Sequence, residues 1–147
     1  MIEPVMTAAA VSEFLDREFP QMHAGGRAYR LLSVGPGEAS MRLDPADRHL
    51  RPGGTVSGPA LFALADYSAY AAILAHIGPV ALAVTTNLNM NFLRRPPLGS
   101  LVGHCRILKL GKRLAVTEVA ITPEGGLDLV AQATATYSLP PRKLEVI

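Results

Sequence analysis

Cysteine and aromatic side chains are scarce in this chain of 147 residues. It has one cysteine, Cys105, and no tryptophan, and 5% of its residues are aromatic. A lone cysteine cannot form an internal disulfide, which favours a reducing compartment. With few rings to stack on bases, and a net charge of only +2, the composition gives no support for a nucleic-acid partner. We therefore expect a protein that binds no nucleic acid.

Targeting and membrane segments are also lacking. Residues 1–10 contain Glu3 and no Lys or Arg, unlike a signal peptide. The longest apolar stretch, residues 60–84, is interrupted by Asp66, His76 and the Gly78-Pro79 pair, and a carboxylate at mid-bilayer is costly. We expect a cytoplasmic protein that does not enter a membrane.

Metal and cofactor motifs are missing as well. The four histidines, His23, His49, His76 and His104, have neither helical pair spacing nor a nearby Cys-x-x-Cys. There is no P-loop, no dinucleotide fingerprint and no nucleophile-elbow serine. We expect no metal and no separate cofactor.

Hydrophobic periodicity predicts an α+β fold in one domain. An antiparallel sheet wrapped around the second helix would explain why that helix is apolar on nearly all sides. We assign residues 27–138 to the domain, residues 1–26 to an N-terminal helical segment and residues 139–147 to a tail. The predicted helices cover residues 7–19 and 59–76, and the predicted strands cover residues 27–34, 38–43, 82–92, 101–110, 113–121 and 127–138.

Two of these strands alternate cleanly between apolar and small or polar residues. In residues 82–92 every even position is apolar except Thr86, and the odd positions are mostly Asn or Thr. In the last strand, Leu127 and Leu129 continue the apolar side that ends at Tyr137. Such alternation predicts that each strand has one buried face.

The loop before the second helix is the most informative stretch. It reads Arg51-Pro-Gly-Gly-Thr-Val-Ser-Gly-Pro59 and leads into a helix whose only early charge is Asp66. A helix N-terminus offers unpaired N–H groups, here that of Gly58, because Pro59 has none. Because a carboxylate is costly to bury without partners, one is rarely placed on an apolar helix without a reason. Loop and aspartate together indicate an active site.

The chain resembles the hot-dog acyl-CoA thioesterases of the phenylacetic-acid-degradation (PaaI) type. The resemblance covers roughly residues 27–138. It rests on Gly54-Thr-Val-Ser-Gly-Pro59, Leu64-Ala-Asp66, Val84-Thr-Thr-Asn-Leu-Asn-Met-Asn-Phe-Leu-Arg94, Leu110-Gly-Lys-Arg113 and Val130-Ala-Gln-Ala133. It implies hydrolysis of an acyl-CoA to the free acid and CoA, with CoA as part of the substrate.

The resemblance also assigns roles in catalysis. Asp66 would be the general base or the nucleophile, and Gly58 would bind the oxyanion. Thr85 stands where the family has a Ser or Thr that assists the water, although a plain strand residue is an equal alternative. Ser57 replaces the family's histidine and Arg51 its asparagine. Ser57 would cap the helix or donate to the thioester, and Arg51 would pair with Asp66 or bind an anionic part of the substrate.

The spacing of Gly58 and Asp66 adds a constraint. Asp66 is the eighth residue after Gly58, which is about 12 Å along a helix, whereas reacting atoms must approach to about 3–3.5 Å. Two antiparallel copies of the helix can supply both groups to one carbonyl. We predict active sites shared across a homodimer, either alone or within a dimer of dimers.

The substrate-binding candidates are basic or aromatic. Arg94, Arg95, Lys112 and Arg113 would bind the CoA phosphates or remain solvated turn charges. Tyr67 would line the acyl pocket or pack at the dimer seam.

Two other functions stay open. The changes at Ser57 and Arg51 suit an acyl-CoA-binding protein with little turnover. A hot-dog hydratase or dehydratase ranks last, because such enzymes pair a histidine with the acid and residues 51–66 contain none.

Overall fold

A six-stranded antiparallel sheet wraps around one long helix in the computed structural model, which describes residues 2–141. This confirms the predicted α+β class. The elements are α1 (Ala8–Glu18), β1 (Tyr29–Gly35), β2 (Glu38–Leu43), α2 (Gly58–Ile77), β3 (Val84–Phe92), β4 (Leu101–Leu110), β5 (Leu114–Pro123) and β6 (Ala131–Ser138), with 3₁₀ turns at Pro20–His23 and Asp47–His49. The strands lie in the sheet in the order β1-β2-β4-β5-β6-β3.

Helix α2 forms the centre of the core. It begins where the Ser57 hydroxyl accepts a hydrogen bond from the Ala60 N–H, and it ends at Gly78, whose φ of +96° suits only glycine. The helix is long and apolar enough to cross a membrane, but 72% of its most apolar window is buried inside the fold. Burial on nearly every side explains its all-round apolar sequence.

A glycine in β4 lets α2 lie close to the sheet. A Cβ atom on Gly103 would stand 2.5 Å from Ser68 Oγ and 3.2 Å from Leu64 Cγ. Ser68 cannot easily yield, because it is fully buried and donates to the Leu64 carbonyl at 2.6 Å. Gly103 therefore sets the helix–sheet distance.

Strand β3 lies at an edge of the sheet, and the prediction that one of its faces is buried is largely wrong. Leu82 lies before the strand and is 76% exposed, Val84 and Phe92 are more than half exposed, and only Leu88 and Met90 are half-buried. The reason is its position, since α2 packs mainly against β4, β2 and β5. The amphipathic pattern is real, but the described residues 2–141 leave most of its apolar side uncovered.

The last strand is shorter than predicted. Residues 124–130 form the connection from β5, and Leu127 is 95% exposed. Pairing with β5 begins at Ala131, opposite Ile121. The alternating pattern that predicted the last strand therefore includes residues of the connecting loop. The first strand also begins later than predicted, at Tyr29, and β5 continues to Pro123.

The N-terminal segment packs against α2. Thr7 caps α1 by accepting from the Ala10 N–H at 3.1 Å, and the buried face of α1 carries Val11, Phe14 and Leu15. Phe19 follows the helix and meets the Tyr67 ring edge-on at 5.6 Å.

The C-terminal side is only partly described. Leu139 is buried and its N–H donates to the Arg113 carbonyl at 2.8 Å. Residues 142–147 of the predicted tail lie outside the described residues. The domain boundaries stay a prediction.

Candidate functional site

The Asp66 carboxylate is held by two hydroxyl groups from two strands. Thr85 of β3 donates to Asp66 Oδ1 at 2.6 Å, and Tyr137 of β6 donates to the same oxygen at 2.7 Å. Tyr137 also lies 3.0 Å from the Asp66 carbonyl oxygen. Within residues 2–141, Oδ2 receives no hydrogen bond. One oxygen is thus anchored, and the other is left for water or substrate.

Tyr137 is a site residue that the sequence analysis did not propose. Its alternation marked it as a core residue, and it is indeed only 2% exposed. Burial raises the pKa of the Tyr137 phenol, and the nearby Asp66 carboxylate raises it further. The phenol is therefore a neutral donor at neutral pH. No local signal could have shown that its hydroxyl meets a residue 71 positions away.

A cavity of about 350 Å³ opens beside Asp66, and we call it the Asp66 cavity. Tyr67, a predicted substrate-binding residue, lies in it with Thr85. Phe19 packs edge-on against both Tyr67 and Tyr70, and Tyr70 stacks on Tyr137 with ring centres 6.0 Å apart. The wall is thus mostly aromatic and apolar. Its lining residues are Glu18, Phe19, Asp66, Tyr67, Tyr70, Ala81, Ala83, Val84, Thr85 and Tyr137.

A second cavity, of about 510 Å³, lies at the N-terminus of α2; we call it the Gly58 cavity. Within residues 2–141 the Gly58 N–H has no acceptor, as expected for the first helical residue. Ser57 is the helix cap, one of its two predicted roles. The lining residues are Arg51, Thr55, Val56, Gly58, Leu61, Phe92, Leu93, Arg94, Arg95 and Pro96.

The two cavities lie at opposite ends of β3. Thr85, beside Asp66, is near the start of the strand, and Phe92, whose ring would lie 3.6 Å from a Cβ on Gly58, is at its end. Arg51 lines the Gly58 cavity and not the Asp66 cavity. One protomer therefore does not bring Gly58 or Arg51 to Asp66.

The predicted basic residues separate into two groups. Arg94 and Arg95 line the Gly58 cavity, and Arg94 also donates to the Leu129 carbonyl at 3.2 Å. Lys112 and Arg113 follow β4 at the other end of the sheet, where Leu114 and Val84 both pair with Ser138. Arg113 donates to the Leu139 carbonyl at 3.2 Å. In one protomer the four cations cannot bind the same phosphate group.

Potential metal ligands are dispersed. Within the described part of the chain, no three His, Cys, Asp or Glu side chains are grouped as a metal would require. The prediction that the protein uses no metal remains untested.

Comparison with known families identifies the domain. Residues 53–130, from the glycine-rich loop to the start of β6, match the family model described as the thioesterase superfamily. The chain belongs to this superfamily. The matched segment contains Gly58, Asp66 and Thr85, but neither Tyr137 nor the N-terminal segment.

Solved structures of superfamily-like proteins share the fold. A candidate thioesterase from Silicibacter sp. TM1040 is 48% identical, with a TM-score of 0.86 over 95% of this chain and 96% of that one. A point mutant of the phenylacetic acid degradation protein PaaI from Thermus thermophilus is 29% identical, with a TM-score of 0.70 over 82% and 99%. A Streptococcus mutans UA159 protein bound to acetyl CoA is 23% identical, with a TM-score of 0.70 over 80% and 93%.

These matches confirm the hot-dog fold and the likeness to PaaI. They support a hydrolase of the thioesterase superfamily. The substrate and the assembly are matters for proposal.

Proposed function

We propose that this protein hydrolyses acyl-CoA thioesters at a site shared by two copies of the chain. The observation that carries the proposal is the Asp66 carboxylate, anchored through one oxygen in a cavity. The free N–H of Gly58 supplies the complementary group, about 12 Å away along the same helix.

One two-fold axis brings the two groups together. If Gly58 of one α2 lies opposite Asp66 of an antiparallel second α2, residue 62 lies on the axis. Phe62 occupies that position and is 42% exposed in the single chain. On β3, placing the Phe92 end opposite the Thr85 end of the second copy puts the axis near Leu88 and Asn89. These residues lie at the middle of an edge strand whose outer side pairs with no strand among residues 2–141. Edge strands offer unpaired N–H and C=O groups to another chain.

Such a pairing would also cover the exposed side of β3. The half-buried Leu88 and Met90 would become buried, and the exposed Phe92 would gain a neighbour. Removing apolar surface from water contributes roughly 25 cal/mol per Å² to association, and the loss of translational and rotational freedom of the two chains opposes it.

The chemistry assigns a task to each group. Asp66 Oδ2 takes a proton from water as the water oxygen adds to the thioester carbon. The second copy's Gly58 N–H donates to the carbonyl oxygen as it becomes negative. Collapse of the intermediate breaks the C–S bond, and the CoA thiolate leaves and takes up a proton. The alternative is direct attack by Oδ2, followed by hydrolysis of a mixed anhydride.

The Gly58 cavity suits the CoA part of the substrate. Its three arginines, Arg51, Arg94 and Arg95, complement phosphate groups. The two-fold pairing would also bring Arg94 and Arg95 of the second copy to the end of β3 near Lys112 and Arg113. Acetyl CoA bound to a protein of the same fold supports this class of ligand. We further propose that no separate cofactor takes part and that the protein acts in the cytoplasm.

The test is Asp66→Asn assayed by thiol release from a panel of acyl-CoA esters. The amide keeps the size of the side chain but is a poor base and nucleophile, so we expect a loss of at least about 10³-fold. Asp47→Asn, an exposed change outside both cavities, is the matched control. A folded Asp66→Asn protein with wild-type turnover would reject the proposal.

An acyl-CoA-binding protein with little turnover is the second candidate. It is favoured by Ser57, which replaces the family's histidine and whose hydroxyl caps α2. Tight binding of acyl-CoA by wild-type protein without thiol release would establish it.

A further inference from the structure

We propose that Glu18 makes the Asp66 cavity select neutral acyl groups over acyl groups that end in a carboxylate. This inference rests on the proposed function, and it assigns specificity to the N-terminal segment.

The charges of the two cavities decide which part of an acyl-CoA each one takes. Among its described lining residues, the Asp66 cavity has two carboxylates, Glu18 and Asp66, and no basic side chain. Among its described lining residues, the Gly58 cavity has three arginines and no acid, and Arg94 also lies 3.8 Å from Asp128 outside the cavity. CoA carries the phosphates, so it is attracted to the arginines and repelled by the carboxylates. The acyl group is left to occupy the Asp66 cavity.

Glu18 lines the same cavity as Asp66, next to the part of the wall that Phe19 and Tyr70 form. Tyr70 follows Asp66 by one helical turn, and the Phe19 ring packs against Tyr70 at 6.2 Å. Glu18, the neighbour of Phe19, lines the cavity at this end. Burial raises the pKa of the Tyr70 phenol, and the Glu18 charge adds to the rise. The charge of Glu18 therefore reaches the cavity.

Helix stability does not explain Glu18. It is the last residue of α1, where the helix dipole disfavours a negative charge. Its ion-pair partner is Arg17 at 3.6 Å, and both side chains are well exposed, so the pair contributes little. Replacing Glu18 should leave the fold intact, which makes the substitution a clean test.

Glu18, the proposed specificity residue, also lies outside the segment that matches the family model. Residues 53–130 match the superfamily model, whereas Glu18 and Phe19 come from the segment before β1. The shared residues would perform the hydrolysis, and the N-terminal segment would choose the acyl group.

The experiment compares kcat/KM for hexanoyl-CoA and adipoyl-CoA at pH 7.5. The two acyl chains have equal length and differ by a terminal carboxylate, which is ionised at this pH. We expect kcat/KM of the wild type to be about tenfold or more higher for hexanoyl-CoA than for adipoyl-CoA. Glu18→Gln should reduce this preference by about threefold, and Glu18→Lys should reduce it further. Glu13→Gln, on the same helix but outside the cavity, should keep the wild-type ratio. The effect should shrink at high salt.

The inference is wrong if Glu18→Gln and Glu18→Lys have the same ratio of kcat/KM for hexanoyl-CoA to kcat/KM for adipoyl-CoA as the wild type. If neither ester releases thiol, the proposed function fails instead, and calorimetric binding of the same two esters decides the inference separately. Equal affinities for wild-type protein would then overturn it, and a preference for hexanoyl-CoA that Glu18→Lys removes would support it.

Discussion

The two ends of β3 differ in charge, in chemistry and in what they lack. At one end, the Gly58 cavity holds a free N–H and three arginines. At the other, the Asp66 cavity holds two carboxylates, an aromatic wall and hydroxyl donors from Thr85 and Tyr137. Under the proposed function, each end has what thioester hydrolysis needs from the other. One protomer would then carry two half-sites, which a second copy of the chain would complete.

The largest effect should come from separating the copies without touching either half-site. Phe62→Arg would place two like charges on the proposed axis, so we expect monomers and a loss of hydrolysis of about 10³-fold or more. Sedimentation velocity and thiol release measure the two effects. Leu127→Arg, which alters a residue 95% exposed on the β5–β6 connection, should change neither. An active Phe62→Arg monomer would refute the two-half-site interpretation.

The next largest effect should come from removing the Gly58 N–H. Gly58→Pro removes the donor at a first-turn position that tolerates proline, so we expect a loss of about 10²–10³-fold. Gly58→Ala keeps the donor, and its Cβ would meet the Phe92 ring at an ordinary 3.6 Å, so its loss should be smaller. Thermal unfolding of both variants checks the fold. Equal rates in the two variants would exclude the N–H as the oxyanion donor.

A smaller effect is expected at the other end, from Tyr137→Phe. The ring and its stacking on Tyr70 remain, but Asp66 Oδ1 loses one of its two donors. We expect kcat to fall about tenfold with little change in KM, because the carboxylate is less well held. Steady-state kinetics on one acyl-CoA measure this, and an unchanged kcat would leave Thr85 as the sufficient anchor.

Tyr137→Phe should also change how the stability of the fold depends on pH above 10. Because burial raises the pKa of Tyr137, its protonated form contributes stability that is fully present below pH 10 and declines above it. Urea midpoints should therefore fall above pH 10 in the wild type, and fall less steeply in Tyr137→Phe. Tyr29, whose pKa is raised to about 12 mainly by burial, should leave a residual decline in both.

The smallest effect on activity is expected from removing one arginine charge at the Gly58 cavity. Arg95→Gln should raise KM for an acyl-CoA several-fold with little change in kcat, since it removes one exposed charge that attracts phosphate. Steady-state kinetics at low and high salt measure it. A fall in kcat with constant KM would place Arg95 at the reacting atoms instead.

The sequence predicted the architecture well where one chain determines it. Helix α2 shows its burial on all sides through its composition, and Ser57 and Gly78 mark its ends through local hydrogen bonding and a positive φ. Asp66 and Thr85 were both proposed from sequence and are in contact.

Features that depend on distant or absent neighbours were predicted less well. Alternation in β3 predicts an amphipathic strand, but it does not show that the strand is a sheet edge. It also does not show that the part of the chain described by the structure leaves most of its apolar side uncovered. Leu127 continues an alternating pattern past the point where pairing with β5 stops. The contact between Tyr137 and Asp66 arises from tertiary folding alone.

The most direct test of the shared site is complementation between two inactive variants. Asp66→Asn and Gly58→Pro chains, co-expressed in equal amounts, would form mixed dimers with one intact and one doubly defective site. If the copies assort at random, about half the dimers are mixed, and we predict about a quarter of wild-type activity. Activity no greater than that of the two separate variants, in a preparation shown by mass spectrometry to contain mixed dimers, would contradict the account.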